Sequence, residues 1–184
     1  MGLFTLLNTV RTMRKFLLIS ILLMASFPIQ GMASSATFVE TPYKSEQKVV
    51  FDFYLDDPVK INSALYWLKA LVDPLMAAPY NTAPDDLDIK VVIHGTELVT
   101  LAKHNYPTYK RAVERMRYYS DLGVAEFKVC VFAAREYGYE LDDFQDFVHV
   151  VPSAIAELAH WQNEGYVLIT PNVQEKRYSI DEIR

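Results

Sequence analysis

Between residues 48 and 171 the chain alternates five short apolar runs with helical patterns, and this alternation limits the fold more than any other feature. The runs are "KVVFDFYL" (48–55), "LDIKVVIHG" (87–95), "VAEFKVCVF" (124–132), "FVHVVP" (147–152) and "YVLITP" (166–171). They are rich in β-branched and aromatic residues, as strands are. The second is nearly all apolar at its centre, as strands of a buried parallel sheet are. Between them, "DDP" at 56–58 opens a helix with Ile61, Ala64, Leu65, Leu68 and Val72 at helical spacing and Pro74 as its expected end. "TELVTLAKH" (96–104) is a short helical stretch. Residues 106–123 form a longer helix with Tyr109, Ala112, Val113 and Met116 on one face and Gly123 as C-cap. "AAREYG" (133–138) is a helical turn, followed by the connector "YELDDFQD" (139–146). The last helix, 153–165, has Ser153 as cap, Gly165 as stop, and Ile155, Leu158 and Gln162 on one face. Strands alternating with helices predict a single α/β domain around a mostly parallel five-stranded sheet. There is no internal repeat and no linker that splits it.

The first 36 residues differ. Arg11, Arg14 and Lys15 are their only charges, and "FLLISILLMASF" (16–27) is an unbroken apolar run, ended by Pro28 and followed by "GMASSA". A basic start, a short apolar core and small residues around a cleavage point read as a secretory signal. The expected cleavage follows Ala33 or Ala36, and Met13 is a candidate start. The run is short for a bilayer span, so no stable membrane insertion is expected after cleavage. Residues 37–47 read as a mobile lead-in and 172–184 as a charged tail. Export places the protein in the periplasm. Without residues 1–36, Lys+Arg falls from 18 to 15 while Asp+Glu stays at 23, so the net charge moves from −5 to −8. An acidic surface without a basic stripe argues against nucleic acid as a partner.

Several chemistries are missing. No G-x-G-x-x-G follows the first strand and no G-x-x-x-x-G-K-[ST] occurs, so no nucleotide cofactor is expected. There is no G-x-S-x-G elbow. The four histidines are dispersed, and no Cys/His cluster offers metal ligands. The Asp pairs at 56–57, 85–86 and 142–143 read as caps and turns. Ligands of open α/β sheets bind at the carboxyl ends of the strands. That rule nominates Asp56 and Asp57, His94 and Gly95, Cys130, and Pro152 and Ser153.

Cys130 is the only cysteine. At the junction of a strand and a helix, backbone N–H groups stabilise a thiolate, and Lys128 and Arg135 add to this if they turn inward. The alternative is a small apolar residue packed in the sheet. His94 ends the second strand, where it is either a base beside a thiolate or a packed loop residue. His149 reads as a hydrogen-bonded sheet residue and His160 as solvent-exposed. Trp67, Trp161 and the Tyr118–Tyr119 pair read as core or subunit-contact aromatics.

The segment "CVFAAREYG" (130–138) resembles the C-x-x-A-A-x-x-x-G segment of the DsrE/DsrF-like family, which includes the sulfur-relay TusBCD and DsrEFH complexes. "HVVPSAIAELAHWQNEGYVLITP" (149–171) is similar to the closing block of its DsrE-like branch, and "IKVVIHGTEL" (89–98) to its second strand and following loop. The resemblance implies a three-layer α/β/α domain, flavodoxin-like in general build, assembling into homo-oligomers or hetero-oligomers. It places Cys130 at the position where relay members carry sulfur as a persulfide, received from a donor protein and passed to an acceptor. Gly95 matches a glycine where a side chain would crowd the same edge; His94 and Arg135 are the other site neighbours. Two departures stand against direct transfer of the activity: the export signal and the need for partner subunits. The competing functions are a periplasmic persulfide carrier, a non-catalytic binding or assembly module with a structural cysteine, and a thiol-redox protein working through intermolecular disulfides.

Overall fold

The computed structural model describes residues 35–184; the expected signal segment lies outside the described residues. Residues 35–41 belong to a separate unit without helix or strand, and the folded domain begins at Pro42. Its elements are β1 (Gln47–Phe53), α1 (Ile61–Met76), β2 (Leu87–Ile93), α2 (Tyr106–Asp121), β3 (Ala125–Cys130), α3 (Val131–Glu136), β4 (Val148–Val151), α4 (Ala154–Asn163), β5 (Val167–Ile169) and α5 (Ile180–Ile183).

All five strands are parallel, in the order β4-β3-β2-β1-β5. The chain steps from β1 to β4 in one direction and then returns across the sheet to β5. Crossovers between parallel strands are right-handed, so the return places its helix on the opposite face from the others. Accordingly α1 packs with α2, while α4 lies against β1, β2, β3 and β5. Helices on both faces make the expected α/β/α layering.

The two sheet faces differ in chemistry. On the α1–α2 side, Phe51, Phe53, Ile89, Val91, Ile93, Phe127 and Val129 are buried and interlock with Ile61, Leu65, Leu68, Val113 and Met116. Alternation sends the intervening residues to the α4 side, and several of these are charged. Lys90 Nζ lies 2.7 Å from Asp88 and 2.6 Å from Glu126. Lys128 Nζ lies 3.1 Å from Glu126 and 3.9 Å from Glu157. The Trp161 ring of α4 covers both ammonium groups, at 4.7 and 5.4 Å from its centroid, and its indole N–H donates to Glu157 at 2.8 Å. This helix is therefore held to the sheet by cation–π and ionic contacts as well as by the apolar packing of Ala154 and Leu158.

Four details differ from the sequence expectations. Pro74 does not end α1; the helix runs to Met76, because Leu75 is buried and the Ala77 N–H still finds the Asp73 carbonyl. The third strand stops at Cys130 instead of Phe132, since Val131 already starts a helical turn. The stretch 96–104 forms 3-10 turns, Thr96–Leu101 and Lys103–Asn105, rather than a continuous helix. On α4, Ile155 faces solvent and Ala154 and Leu158 face the sheet, because contact with the Lys90–Lys128 face turns Trp161 inward. Gly123 does sit just beyond α2 with φ +72°, a left-handed conformation that favours glycine, and Ser153 caps α4 by accepting the Ala156 N–H.

Candidate functional site

Cys130 is the last residue of β3 and the N-cap of α3, in extended conformation with φ −71° and ψ 122°. It shares the α4-side face with Glu126 and Lys128. It is only 6% exposed and belongs to the buried core. The helix that follows has six residues, so its field at the thiol is small. Lys128, a proposed source of positive charge, spends its ammonium group on Glu126 and Glu157. Arg135 is exposed on α3 and lines a 120 Å³ recess with Val131, Tyr139 and Phe144, a recess that Cys130 does not line.

His94 is the first residue beyond β2. Its backbone N–H donates to the Phe53 carbonyl at 3.1 Å, which continues the β1–β2 ladder by one step. Ile93 pairs with Val129, so His94 and Cys130 occupy neighbouring positions on adjacent strands and the same face. The imidazole leans the other way, toward β1. Its Nε2 lies 2.7 Å from Asp52 Oδ1, and its ring stacks on Tyr54 at 4.8 Å and 17°. The other Asp52 oxygen accepts the Thr170 hydroxyl at 3.5 Å. The structure thus brings His94 and Cys130 to one stretch of sheet edge, with no hydrogen bond between them. A carboxylate that fixes one ring nitrogen leaves the other for a bound molecule.

Gly95 and Glu97 lock the neighbouring loops together. Glu97 is fully buried, and its carboxylate accepts the Leu55 N–H at 2.8 Å and the Gly95 N–H at 3.0 Å. Burial pushes its pKa up; its own backbone N–H, those of Leu55 and Gly95, and nearby His94 only partly oppose this. The Thr96 N–H and hydroxyl both donate to the Leu55 carbonyl, each at 2.9 Å. A β-carbon at Gly95 would lie 2.4 Å from Glu97 Oε2 and from Leu55 N, and 2.5 Å from Leu55 O. Glycine is required here by the close approach of another backbone segment.

Above these loops lies a 340 Å³ cleft lined by Tyr54, Lys60, Gly95, Thr96, Tyr137 and Pro171, among others. It opens where β1, β2 and β5 end; Cys130 does not line it. Asp56 pairs with Lys60 at 2.8 Å, and Asp57 caps the following turn through the Val59 N–H, which gives both the cap-and-turn roles expected of Asp pairs. His149 is exposed on the edge strand β4 and makes no side-chain hydrogen bond among the described residues, unlike the bonded sheet residue expected. His160 is exposed, and its ring meets Trp161 edge-on. No group of three His, Cys, Asp or Glu side chains that could hold a metal ion occurs among the described residues.

Sequence reasoning missed Asp52, Tyr54 and Glu97. Asp52 carried a readable signal, as a charged residue inside an apolar strand. Glu97 carried none, since an acidic residue in the first turn after a strand is ordinary.

No curated protein matches the chain. Among solved structures, MTH1491, a protein of unknown function from Methanobacterium thermoautotrophicum, is similar in fold. The TM-score is 0.55 and the identity 22%, over 68% of this chain and 100% of that one. The DsrE/DsrF-like family model matches residues 42–171, from the start of the folded domain to two residues beyond β5. With that match spanning most of the chain, and with the parallel sheet and the Cys130 junction in place, the chain belongs to the DsrE/DsrF-like family.

Proposed function

We infer that the protein handles sulfur through Cys130, as a persulfide carrier. The observation that carries this reading is the position of the one cysteine, at the carboxyl end of β3 beside the Asp52-anchored His94, in a DsrE/DsrF-like chain. In the proposed step, the Cys130 thiolate attacks the outer sulfur of a donor persulfide. A new S–S bond forms on Cys130, the donor's S–S bond breaks, and the donor leaves as a thiolate. An acceptor thiolate then attacks the outer sulfur and Cys130 leaves as a thiolate, with no net oxidation. His94, one position beyond the Ile93–Val129 pair as Cys130 is on the neighbouring strand, is the base that takes the thiol proton through the bound donor or a water. The burial of Cys130 shields a persulfide from the oxidising periplasm.

A low-molecular-weight persulfide should add one sulfur, about 32 Da, to the folded protein. The Cys130→Ser variant should stay folded and gain nothing. Equal uptake by that variant removes Cys130 from the chemistry. The same 6% exposure also supports a second reading, a non-catalytic binding or assembly module with a packed cysteine. Iodoacetamide separates the two: a carrier is alkylated while folded, and a packed cysteine only after denaturation.

Export and self-assembly complete the proposal. Protein from the periplasmic fraction should have the intact mass of a chain beginning at Ser34 or Thr37 and should scatter light as an oligomer. A membrane-bound product that keeps Phe16, or a monomer at micromolar concentration, overturns the respective part.

A further inference from the structure

On the face away from Trp161, the outer surfaces of α1 and α2 and the segment after β5 enclose an open groove of 550 Å³. Tyr66 and Trp67 supply one wall, with relative exposures of 63% and 40%. Arg111 and Arg115, one turn apart on α2, supply the other, and Lys176 closes the end. Among the described residues, some cations are paired and others, these among them, are not. Lys60, Lys69, Lys90, Arg117 and Lys128 each hold a carboxylate. Arg111, Arg115 and Lys176 hold none among the described residues, although acidic side chains outnumber basic ones by 23 to 15 beyond residue 36. Two arginines at i and i+4 repel each other, a small standing cost that an incoming anion relieves.

We propose that this groove binds an acidic, aromatic-bearing segment of a partner protein. Trp, Tyr and Arg are the residue types that dominate binding energy at protein interfaces, and here all three stand exposed together. The arginine forks match carboxylates in pairs. The exposed Trp67 and Tyr66 rings offer an apolar surface that a small inorganic anion leaves unused. Asp73 and Glu114, beside Arg115 on the adjoining surface, keep the positive field short. A short acidic segment fits such a field, whereas a long polyanion meets repulsion beyond it. The groove is separate from the sheet edge that carries Cys130, so the inference does not depend on the sulfur reading.

The probe is a fluorescein-labelled peptide of glutamates around a central Phe, followed by fluorescence anisotropy on the folded protein at low and moderate salt. Binding that weakens with salt is expected. The Arg111→Glu/Arg115→Glu variant should lose at least about tenfold in affinity, and Trp67→Ala about tenfold. Lys176→Glu, on the exposed segment after β5, provides a variant outside the helices should the double substitution disturb folding. Four results overturn the proposal. They are no binding at low salt, equal binding by all variants, equal or tighter binding of a single-stranded oligonucleotide at the same residues, and loss of self-association in the groove variants, which assigns the groove to contact between copies.

Discussion

Gly95→Ala will lower the stability of the domain by about 3 kcal/mol, within the range for overpacking combined with a disturbed buried hydrogen bond. The added methyl group meets the Leu55 backbone at 2.4 Å, and a backbone does not move aside as a flexible side chain does. The loops after β1 and β2 must separate, and the Glu97 carboxylate then loses the geometry of its bonds to Leu55 and Gly95. In a domain of this size the melting temperature falls by about 6–12 °C. Calorimetry or circular dichroism measures it, and an unchanged melting temperature means that the loops are not locked as described. Glu97 adds a pH signature. Its folded pKa lies above its unfolded value, so the folded state binds the extra proton. Its contribution is complete below the ordinary glutamate value of 4.5 and is lost as pH rises through the folded pKa. Against Glu97→Gln, the wild type should therefore gain relative stability as pH is lowered from neutrality.

Lys90→Ala will cost about 2 kcal/mol, less than the usual penalty for breaking a buried ion pair because both carboxylate partners are almost half exposed to water. The substitution leaves Asp88 and Glu126 without the ammonium group between them and takes away the cation beneath Trp161. Lys90→Met keeps the length of the stem and should cost less than Lys90→Ala in urea titrations; the reverse order would show that the stem does not pack beneath Trp161, and no loss in Lys90→Met would show that the charge contacts do not hold α4 down. The pH dependence here has the opposite sign to that of Glu97. Burial pushes Asp88 and Glu126 up, but hydrogen bonds from Lys90, with Tyr166 at Asp88 and Lys128 at Glu126, outweigh it and hold both below their ordinary range. Their contribution is present above the unfolded pKa values and is lost as pH falls through the folded ones. Acid should weaken the α4 face in the wild type, and Lys90→Met should flatten that loss.

The strands were legible because burial between two helix layers leaves apolar, β-branched runs in the sequence. "LDIKVVIHG" announced the central position of β2, where every residue from Ile89 to Ile93 is buried. Even so, Lys90 inside that run was the trace of a second, charged face, and its meaning depended on Trp161, more than seventy residues away in the chain. The same distance hid the inward turn of α4: its periodicity favoured Ile155, while the ammonium groups below favoured Trp161. His94, Gly95 and Cys130 stood out as candidates by their positions at strand ends. Asp52 and Glu97 did not, because each gains its role from a partner 42 residues distant, His94 in one case and the Leu55 backbone in the other. Pairings of that span are products of register, which local pattern does not encode.

The sheet also tapers. Its central strands β1 and β2 have seven residues each, β3 has six, and the two edges, β4 and β5, have four and three. An edge so brief offers a neighbouring molecule few free backbone groups, and short edges are one of the ways in which natural sheets resist growing into one another. Val167 and Leu168 can thus stand open to solvent on β5 without turning the sheet into a template for fibres. Two copies that meet cannot gain much by extending the sheet from one to the next. Any contact between copies would draw on helix and loop surfaces, where side chains select the partner, more than on backbone pairing, which accepts any strand.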